Sequence, residues 1–330
     1  MKTVIAGAGA LGSVLGGYFA QVGADVTLIA RKPHVEAIRA QGLVIEGMRG
    51  RQVIRNLKAV VDPAEVRSAD FLILGVKSQD TPQTLASLRH LRGKLGAAIS
   101  VQNGGRKEEE LAEAFGREAV VGAATMVGAT MPEPGRVIHT SNGATWIGEL
   151  DGRPSARVEA VAELYRKADL PIEVRPDIRT VIWCKLNQMT AGAAVSCVTR
   201  LFLHQVYLDR GLATLFVELC REIAQLAERQ GIPLEDFRGF GMKTVCSLPF
   251  EDAVESVMAR GRAMVEQGIT QVKVSTLQDL ERGKPTEADQ VIGYVVHLAA
   301  ELQVPVPTVE LLYRIIRGVE AAQLASRPTG

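Results

Sequence analysis

Residues 1–31, MKTVIAGAGALGSVLGGYFAQVGADVTLIAR, decide the fold because they predict a strand, a glycine-rich turn, a helix and a second strand in that order. The short apolar run at residues 2–6 has the composition of a buried strand. Apolar residues then recur at helical spacing over residues 11–22, and Gly23 ends that helix. Residues 25–29 resume the strand pattern. This order is that of half a nucleotide-binding βαβ unit.

The glycines of the turn have separate roles in such a unit. Gly7 permits the tight turn, Gly9 lets the backbone approach a pyrophosphate, and Gly12 lets helix and strand pack closely. The free N–H groups at the start of the helix favour an anion. A glycine triplet alone can be an ordinary turn, but the flanking strand and helix favour a dinucleotide site. The predicted cofactor-binding residues here are Gly7, Ala8, Gly9, Ala10, Leu11 and Gly12.

The end of the second strand favours NADP(H) over NAD(H). An NAD site usually places Asp or Glu near this point to bind the ribose hydroxyls. This chain has Ala30, Arg31 and Lys32 instead. Two cations without an acid accommodate a 2′-phosphate better than a bare ribose. The alternative is that Arg31 and Lys32 belong to an ordinary solvated loop.

The composition predicts two domains and no nucleic-acid partner. At 330 residues the chain is long for a single core, so we expect about two domains. Its 38 basic and 37 acidic residues leave a net charge of +1 without a basic run, and only 5% of residues are aromatic. A nucleic-acid surface would need a basic patch or a set of stacking aromatic side chains.

No segment predicts a membrane anchor, a secretion signal or a metal site. The uncharged stretch 4–24 holds six glycines and changes from strand to helix periodicity, which favours buried core. The four cysteines have no C-x-x-C spacing, which is typical of reduced thiols in a cytoplasmic protein. The five histidines are dispersed without ligand spacing, so we expect no metal cofactor.

Polar side chains follow two further predicted strands. Lys77 ends the apolar run that starts at Asp70, and Asn103 follows the strand at residues 97–101. Open α/β sheets bind ligands at the carboxyl ends of their strands, so we expect Lys77 beside the cofactor. Asn103 offers both a donor and an acceptor to a nicotinamide amide or a substrate. Alternatively, Asn103 and Gly104 form a simple turn.

The sequence pattern changes near residue 153, from short strand-like runs to long helical repeats. Residues 1–152 predict an α/β, Rossmann-type doubly wound sheet, whose last strands at 120–149 are partly antiparallel. Hairpin signals stand at Pro134-Gly135 and Asn142-Gly143. Residues 153–330 predict an all-α domain. Its predicted helices are 155–168, 178–198, 209–230, 251–266, 287–301 and 309–322.

Lys185 lies on the apolar face of the predicted helix 178–198. It shares that face with Ile178, Val181 and Ile182, at helical spacing. Partial desolvation there would make the ammonium a better proton donor, as general acid catalysis requires. The alternative is a lysine whose stem covers apolar surface while its head stays in water.

Glu287 follows Thr286, which is a suitable N-cap for the predicted helix 287–301. In the first turn, the helix dipole would favour the ionised carboxylate. Such a carboxylate is a suitable partner for an ammonium or for a substrate hydroxyl. The alternative is an acid that merely stabilises the helix terminus.

Together, six segments of this chain resemble the ketopantoate reductase (2-dehydropantoate 2-reductase) family nearly from end to end. They are GAGALG at 7–12 with Arg31, GVK at 75–77, NG at 103–104, WCKL at 183–186, STLQD at 275–279 and KPTEAD at 284–289. The resemblance implies an oxidoreductase that uses NADPH to reduce a 2-oxo acid to the (R)-2-hydroxy acid. The family's central substrate is ketopantoate, on the route to pantothenate.

The resemblance also implies roles for individual residues. Lys185 would protonate the carbonyl oxygen as hydride arrives from the nicotinamide, and Glu287 would hold substrate and lysine in place beside the cofactor. Asn103 would orient the nicotinamide or Lys185, and Ser275 would bind the substrate carboxylate. Arg31 and Lys77 would bind the cofactor phosphate. The resemblance further suggests a homodimer interface in the helical half, although the sequence leaves the oligomeric state open.

Four residues depart from the family pattern. Met189 and Ala193 stand where asparagines usually contact the substrate, four and eight residues after the lysine. Val272 and Ile292 likewise replace commonly polar residues. A pocket with fewer polar partners discriminates less in favour of a substrate hydroxyl. We therefore keep as an alternative a branched or aromatic 2-oxo acid that lacks the distal hydroxyl of ketopantoate.

Two further functions stay open at this point. One is a D-2-hydroxyacid dehydrogenase of the same plan that oxidises its substrate with NAD. The other is a non-catalytic protein that senses NADP(H). The presence of both Lys185 and Glu287 favours an enzyme over a sensor.

Overall fold

A computed structural model describes residues 1–326, so the last four residues of the predicted second domain lie outside the described part. The chain forms two compact units. The first contains Met1–Gln102 and Arg106–Arg179, and the second contains Asn103–Gly105 and the chain from Thr180 onward.

The first unit is built on a ten-stranded sheet with the order β4-β3-β9-β8-β7-β6-β1-β2-β5, and β10 pairs with β9. Its strands are β1 Lys2–Ala6, β2 Asp25–Ile29, β3 Leu43–Gly47, β4 Gln52–Ile54, β5 Lys58–Val60, β6 Ala69–Leu74, β7 Leu95–Ser100, β8 Val120–Glu133, β9 Arg136–Gly148 and β10 Ile172–Val174. Its helices are α1 Ala10–Gln21, α2 Lys32–Gln41, α3 Thr81–Leu88, α4 Lys107–Phe115 and α5 Ala156–Lys167.

Both faces of this sheet are covered, which confirms the predicted doubly wound class. Successive side chains of β1 point to opposite faces. Ile5 packs in one core with Leu15 and Phe19 of α1, whereas Val4 packs in the other core with Phe115 of α4. Strands buried on both sides read as continuous apolar runs, which is why the sequence shows β1 so clearly.

The order of the strands brings the predicted ligand-binding turns of this unit together. Strand β1 pairs in parallel with β2 on one side and with β6 on the other. Parallel neighbours have their carboxyl ends at the same edge of a sheet. The glycine turn after β1, Arg31 after β2 and Lys77 after β6 therefore share one edge.

One of the two predicted hairpin turns is wrong. Pro134 and Gly135 do connect β8 to β9, which are antiparallel, as predicted. Gly143, however, lies inside β9, opposite an irregularity in the register with β8. A Cβ on Gly143 would lie 2.2 Å from the carbonyl oxygen of Met126, so this glycine permits a close approach of two strands.

The compact units divide at Arg179 and Thr180, later than the predicted boundary at residues 152 and 153. Helix α5 is the reason: its side chains Leu164 and Tyr165 belong to the core beneath the sheet. Strand β10 then extends the same sheet beside β9. The long helical repeats of the sequence thus begin with α5, before the first unit ends.

Up to residue 326, the regular structure of the second unit is helical apart from a two-stranded hairpin. Its helices are α6 Ile178–Thr199, α7 Leu203–Leu208, α8 Arg210–Arg229, α9 Met242–Ser247, α10 Phe250–Glu266, α11 Ser275–Glu281, a π-helix Asp289–Gly293, α12 Tyr294–Leu302 and α13 Pro307–Ala325. The hairpin pairs β11 Asp236–Phe237 with β12 Phe240–Gly241. Within the described part of the chain, every helix is too short or too polar to cross a membrane.

Candidate active site

The glycine turn after β1 is tight because two of its glycines have no room for a side chain. Gly7 has a φ of +92°, and a Cβ there would lie 2.4 Å from the backbone nitrogen of Val76. A Cβ on Gly12 would lie 2.6 Å from the carbonyl oxygen of Gly7. Gly9 differs, since nothing lies within 4 Å of its Cβ position. The turn therefore leaves no space for a side chain at Gly7 or Gly12 but has free space beside Gly9.

This turn presents backbone donors that suit a phosphate group. The N–H groups of Gly7 and Ala8 already donate to the carbonyl of Ile29, at 3.1 and 2.9 Å. Those of Ala10, Leu11 and Gly12, in the first turn of α1, have no acceptor among residues 1–326. Helix N-termini with such donors bind anions. The residues therefore fit the pyrophosphate of a dinucleotide.

A buried histidine supports the glycine turn from behind. The Nδ1 atom of His34 accepts a hydrogen bond from the N–H of Gly135 at 2.8 Å, so the ring proton lies on Nε2. Nε2 donates to Ser13 Oγ at 3.0 Å, and that hydroxyl donates to the carbonyl of Ala8 at 3.2 Å. Burial lowers the pKa of His34, which favours this neutral ring.

Arg31 has a carboxylate partner that the sequence did not predict. Its Nη2 atom lies 3.0 Å from Oδ2 of Asp80, and the two side chains are 87% and 42% exposed. Lys77 is also exposed and lies three residues before Asp80. An NAD site usually has an acidic residue at the end of β2. Here the carboxylate near that position belongs to Asp80, in the segment after β6. No local pattern links two residues that are 49 positions apart in the chain.

Lys185 and Asn103, two predicted site residues, are in direct contact. Lys185 lies in α6 and is only 7% exposed, and its Nζ donates to Oδ1 of Asn103 at 3.1 Å. The turn that carries Asn103 packs against the π-helix, because a Cβ on Gly104 would lie 2.8 Å from the carbonyl oxygen of Gln290. Gly104 has a φ of +106°, so this turn requires a glycine.

Glu287 is buried, with 6% of its surface exposed, but it does not lie in the first turn of a helix as predicted. It precedes the π-helix, and its carbonyl accepts a hydrogen bond from the N–H of Val291 at 3.0 Å. The predicted capping by Thr286 is also wrong, because the residue before the π-helix is Ala288; the Thr286 Oγ1 atom instead accepts a local hydrogen bond from the N–H of Ala288 at 3.2 Å. No local pattern of residues predicts the wider π turn, which often marks a functional site.

Helix α13 fixes both ends of the segment that carries Glu287. Glu320, 3% exposed, accepts a hydrogen bond from the N–H of Thr286 at 2.6 Å. Asp289 accepts a hydrogen bond from the Tyr313 hydroxyl at 2.7 Å and forms an ion pair with Arg317, whose Nε lies 3.0 Å from Oδ1. Burial and the bond to Asp289 raise the pKa of Tyr313 to about 12, so its hydroxyl keeps its proton.

Sequence reasoning missed Glu320, although a signal for it exists. It continues the buried stripe of α13, whose other members are Val309, Leu312 and Ile316. An acid at helical spacing within an apolar stripe needs a buried partner. Here that partner is the backbone N–H next to Glu287, together with Arg317.

The remaining predicted site residues have mixed surroundings. Ser275 is half-buried at the start of α11, and its hydroxyl has no hydrogen-bond partner among residues 1–326. Of the four departures from the family pattern, Ala193 and Ile292 are buried, Met189 is half-buried and Val272 is exposed. The buried pair cannot supply hydrogen bonds from their side chains.

Two protein-family models match the chain. The model for ketopantoate reductase PanE/ApbA matches residues 3–152, and the model for its C terminal part matches residues 177–320. Among curated relatives, 2-dehydropantoate 2-reductase of Pyrococcus abyssi is 31% identical over 323 residues, which are 98% of this chain and 99% of the relative. The matched residues thus run through nearly the whole chain.

Solved structures of the same length share the fold. A PanE/ApbA family ketopantoate reductase from Ralstonia eutropha matches with a TM-score of 0.82 and 30% identity, over 98% of this chain and 99% of that one. D-mandelate dehydrogenase, solved with NADH and anilino(oxo)acetate, matches with a TM-score of 0.83 over the same shares, at 19% identity. At that identity the second likeness concerns the fold alone.

Proposed function

Since the chain belongs to the ketopantoate reductase family and is an oxidoreductase, we propose that it reduces 2-dehydropantoate to (R)-pantoate with NADPH. The observation that carries this proposal is the buried hydrogen bond between Lys185 and Asn103. It holds the Lys185 ammonium in place, where it can serve as the proton donor that a carbonyl reduction requires.

Lys185 is the proton donor of the proposed reaction. A nicotinamide bound here would supply the hydride for the carbonyl carbon, and the residues around the substrate would then meet a negative charge on the carbonyl oxygen. Lys185 Nζ stabilises that charge and transfers its proton to the oxygen, which yields the hydroxyl of the product. Asn103 Oδ1 orients the ammonium, at 3.1 Å. Because Lys185 is almost fully buried, its charge acts through a medium of lower dielectric than water.

Glu287 and Ser275 position the substrate in this proposal. Hydrogen bonds hold the backbone N–H of Thr286 and the backbone carbonyl of Glu287 in place. The Glu287 side chain therefore extends from a fixed backbone position. The carboxylate accepts a hydrogen bond from a substrate hydroxyl or from Lys185. Ser275 donates its hydroxyl to the substrate carboxylate, which is consistent with the lack of a hydrogen-bond partner for that hydroxyl among residues 1–326.

The first unit holds the cofactor in this proposal. The N–H groups of Ala10, Leu11 and Gly12 bind the pyrophosphate, since they have no acceptor of their own among residues 1–326. Arg31 and Lys77 bind the 2′-phosphate, because both lie at the sheet edge that carries the glycine turn.

A second candidate substrate is a more apolar 2-oxo acid. It is favoured by the buried side chains of Ala193 and Ile292, which stand where the family pattern usually has polar residues. A site that cannot hydrogen-bond a substrate hydroxyl gains little from its presence. The fold is shared with D-mandelate dehydrogenase, whose structure contains the aromatic 2-oxo acid derivative anilino(oxo)acetate.

The test is NADPH oxidation, followed by its absorbance, across a panel of 2-oxo acids. The panel contains ketopantoate, 2-oxoisovalerate, which lacks the distal hydroxyl, and phenylglyoxylate, which is aromatic. A kcat/KM that is highest for ketopantoate supports the proposal, and one that is higher for either other acid supports the second candidate. If no acid is reduced although NADPH binds, both are overturned in favour of a sensor.

A further inference from the structure

The contact between Arg31 and Asp80 places a cation and a carboxylate together at the predicted 2′-phosphate site. We propose that Asp80 lowers the preference for NADPH, so that the adenosine ribose site accepts both NADPH and NADH. The inference rests on the proposed function, in which Arg31 binds the 2′-phosphate. It adds a second residue that sets the choice of cofactor.

The topology of the sheet explains why Asp80 reaches this site. Strands β2 and β6 flank β1 and run parallel to it. Arg31 follows β2 and Asp80 follows β6, so their loops lie on either side of the glycine turn that follows β1. The 3.0 Å contact between their side chains therefore joins the two loops at the edge where a dinucleotide would bind.

The two cofactors place opposite demands on this pair. The ribose hydroxyls of NADH are hydrogen-bond donors, for which a carboxylate is the usual acceptor. The 2′-phosphate of NADPH carries up to two negative charges and offers only acceptors near neutral pH. It is attracted by the guanidinium of Arg31 and repelled by the carboxylate of Asp80. NADPH must also compete with Asp80 for Arg31, whereas NADH need not.

The surroundings of Asp80 allow its charge to be removed cleanly. Its backbone N–H donates to the carbonyl of Lys77 at 2.9 Å, and its backbone carbonyl accepts from Thr84 Oγ1 at 2.8 Å. Its side chain makes no capping hydrogen bond to α3. Asp80→Asn is therefore expected to keep the turn and to change chiefly the charge that faces Arg31.

The experiment measures equilibrium binding of NADPH and NADH to the full chain by calorimetry, without a 2-oxo acid. For Asp80→Asn, we expect the ratio of Kd(NADH) to Kd(NADPH) to rise by about threefold to tenfold, since both side chains are partly exposed and screened. Arg31→Ala should lower this ratio, and in the Arg31→Ala background the Asp80→Asn effect should shrink. Glu36→Gln, which neutralises an exposed acid on α2, is the matched control.

The outcomes separate this inference from the proposed function. An unchanged ratio in Asp80→Asn, or a rise no larger than in Glu36→Gln, would overturn the role of Asp80. An Arg31→Ala variant that binds NADPH as well as the wild type would overturn it too, because the phosphate would then lie elsewhere. Failure to reduce any 2-oxo acid, with the expected ratios intact, would overturn only the proposed reaction.

Discussion

The two units hold their functional charges in different ways. In the second unit, Lys185, Glu287 and Glu320 are each at most 7% exposed. Lys185 is hydrogen-bonded to the Asn103 side chain, and Glu320 is hydrogen-bonded to the backbone N–H of Thr286, next to Glu287. In the first unit, the side chains of Arg31 and Asp80 are 87% and 42% exposed. Buried charges interact strongly and tolerate little change, whereas exposed ones are screened by water and salt. If the proposed function is correct, the groups that act on the substrate are held rigidly, whereas the charges that select the cofactor are open to change.

The largest effect is expected from Lys185→Ala, which removes the buried charge itself. Because the proton donor of the proposed reaction is lost, kcat should fall by about a thousandfold. The Kd for NADPH should change little, since the proposed donors to its phosphates, from the glycine turn, Arg31 and Lys77, are in the other unit. Steady-state kinetics and calorimetry measure the two quantities, with the exposed Lys243→Ala as the control. A variant with near-wild-type kcat would contradict the assignment of Lys185.

The next largest effect is expected from a substitution in the glycine turn, where the backbone of the first unit is tightly packed although its charges are exposed. Gly7→Ala places a Cβ 2.4 Å from the Val76 nitrogen at a φ of +92°, so it should cost about 2–4 kcal/mol of the free energy of unfolding. Gly9→Ala is the matched control, because its φ is −76° and nothing lies within 4 Å. It should unfold like the wild type in urea yet bind NADPH more weakly. Equal stability of both variants would contradict the packing described for the turn.

The sequence allowed the first unit to be predicted better than the second. Strand β1 and the glycine turn could be read locally, because a strand buried on both faces and a turn that needs glycine each leave a short pattern. The short helices α7, α9 and α11 span only six or seven residues, too few for a periodic signal. The hairpin predicted at Gly143 was wrong because glycine is favoured both in turns and where two paired strands approach closely.

The candidate site could be predicted only where its residues leave a local pattern. Lys185 was found because a cation interrupts an apolar helix face. Its contact with Asn103 joins residues 82 positions apart, and the contact between Arg31 and Asp80 has no local signature either. The π-helix after Glu287 depends on tertiary contacts with Tyr313 and Arg317, which propensity does not describe.

A smaller effect is expected at Glu320, which is buried but does not take part in the proposed chemistry. Glu320→Ala leaves the N–H of Thr286 without an acceptor, which should cost about 1–3 kcal/mol of the free energy of unfolding. It should also lower kcat, because the segment with Glu287 loses a fixed point. Glu320→Gln keeps an acceptor and should recover most of both losses. If Glu320→Gln behaved like Glu320→Ala, the charge rather than the hydrogen bond would be decisive.

The smallest effect concerns His34, a buried group that is neutral. Burial lowers its pKa, so between that value and about 6.5 the unfolded chain binds more protons than the folded one. The stability contributed by neutral His34 is therefore present above about pH 6.5 and is lost as the pH falls through the folded pKa. Burial lowers the pKa of His139 as well, so both residues act in the same direction.

His34→Asn isolates this contribution, because its side-chain oxygen can still accept from the N–H of Gly135. The variant should be less stable than the wild type at pH 7.5, but its Tm should fall less between pH 7.5 and pH 5.5. The same substitution at the exposed His297 serves as the control for replacing a histidine by asparagine. A parallel decline of Tm in His34→Asn and the wild type would show that protonation of His34 does not limit stability. The first unit would then owe its acid sensitivity to other groups.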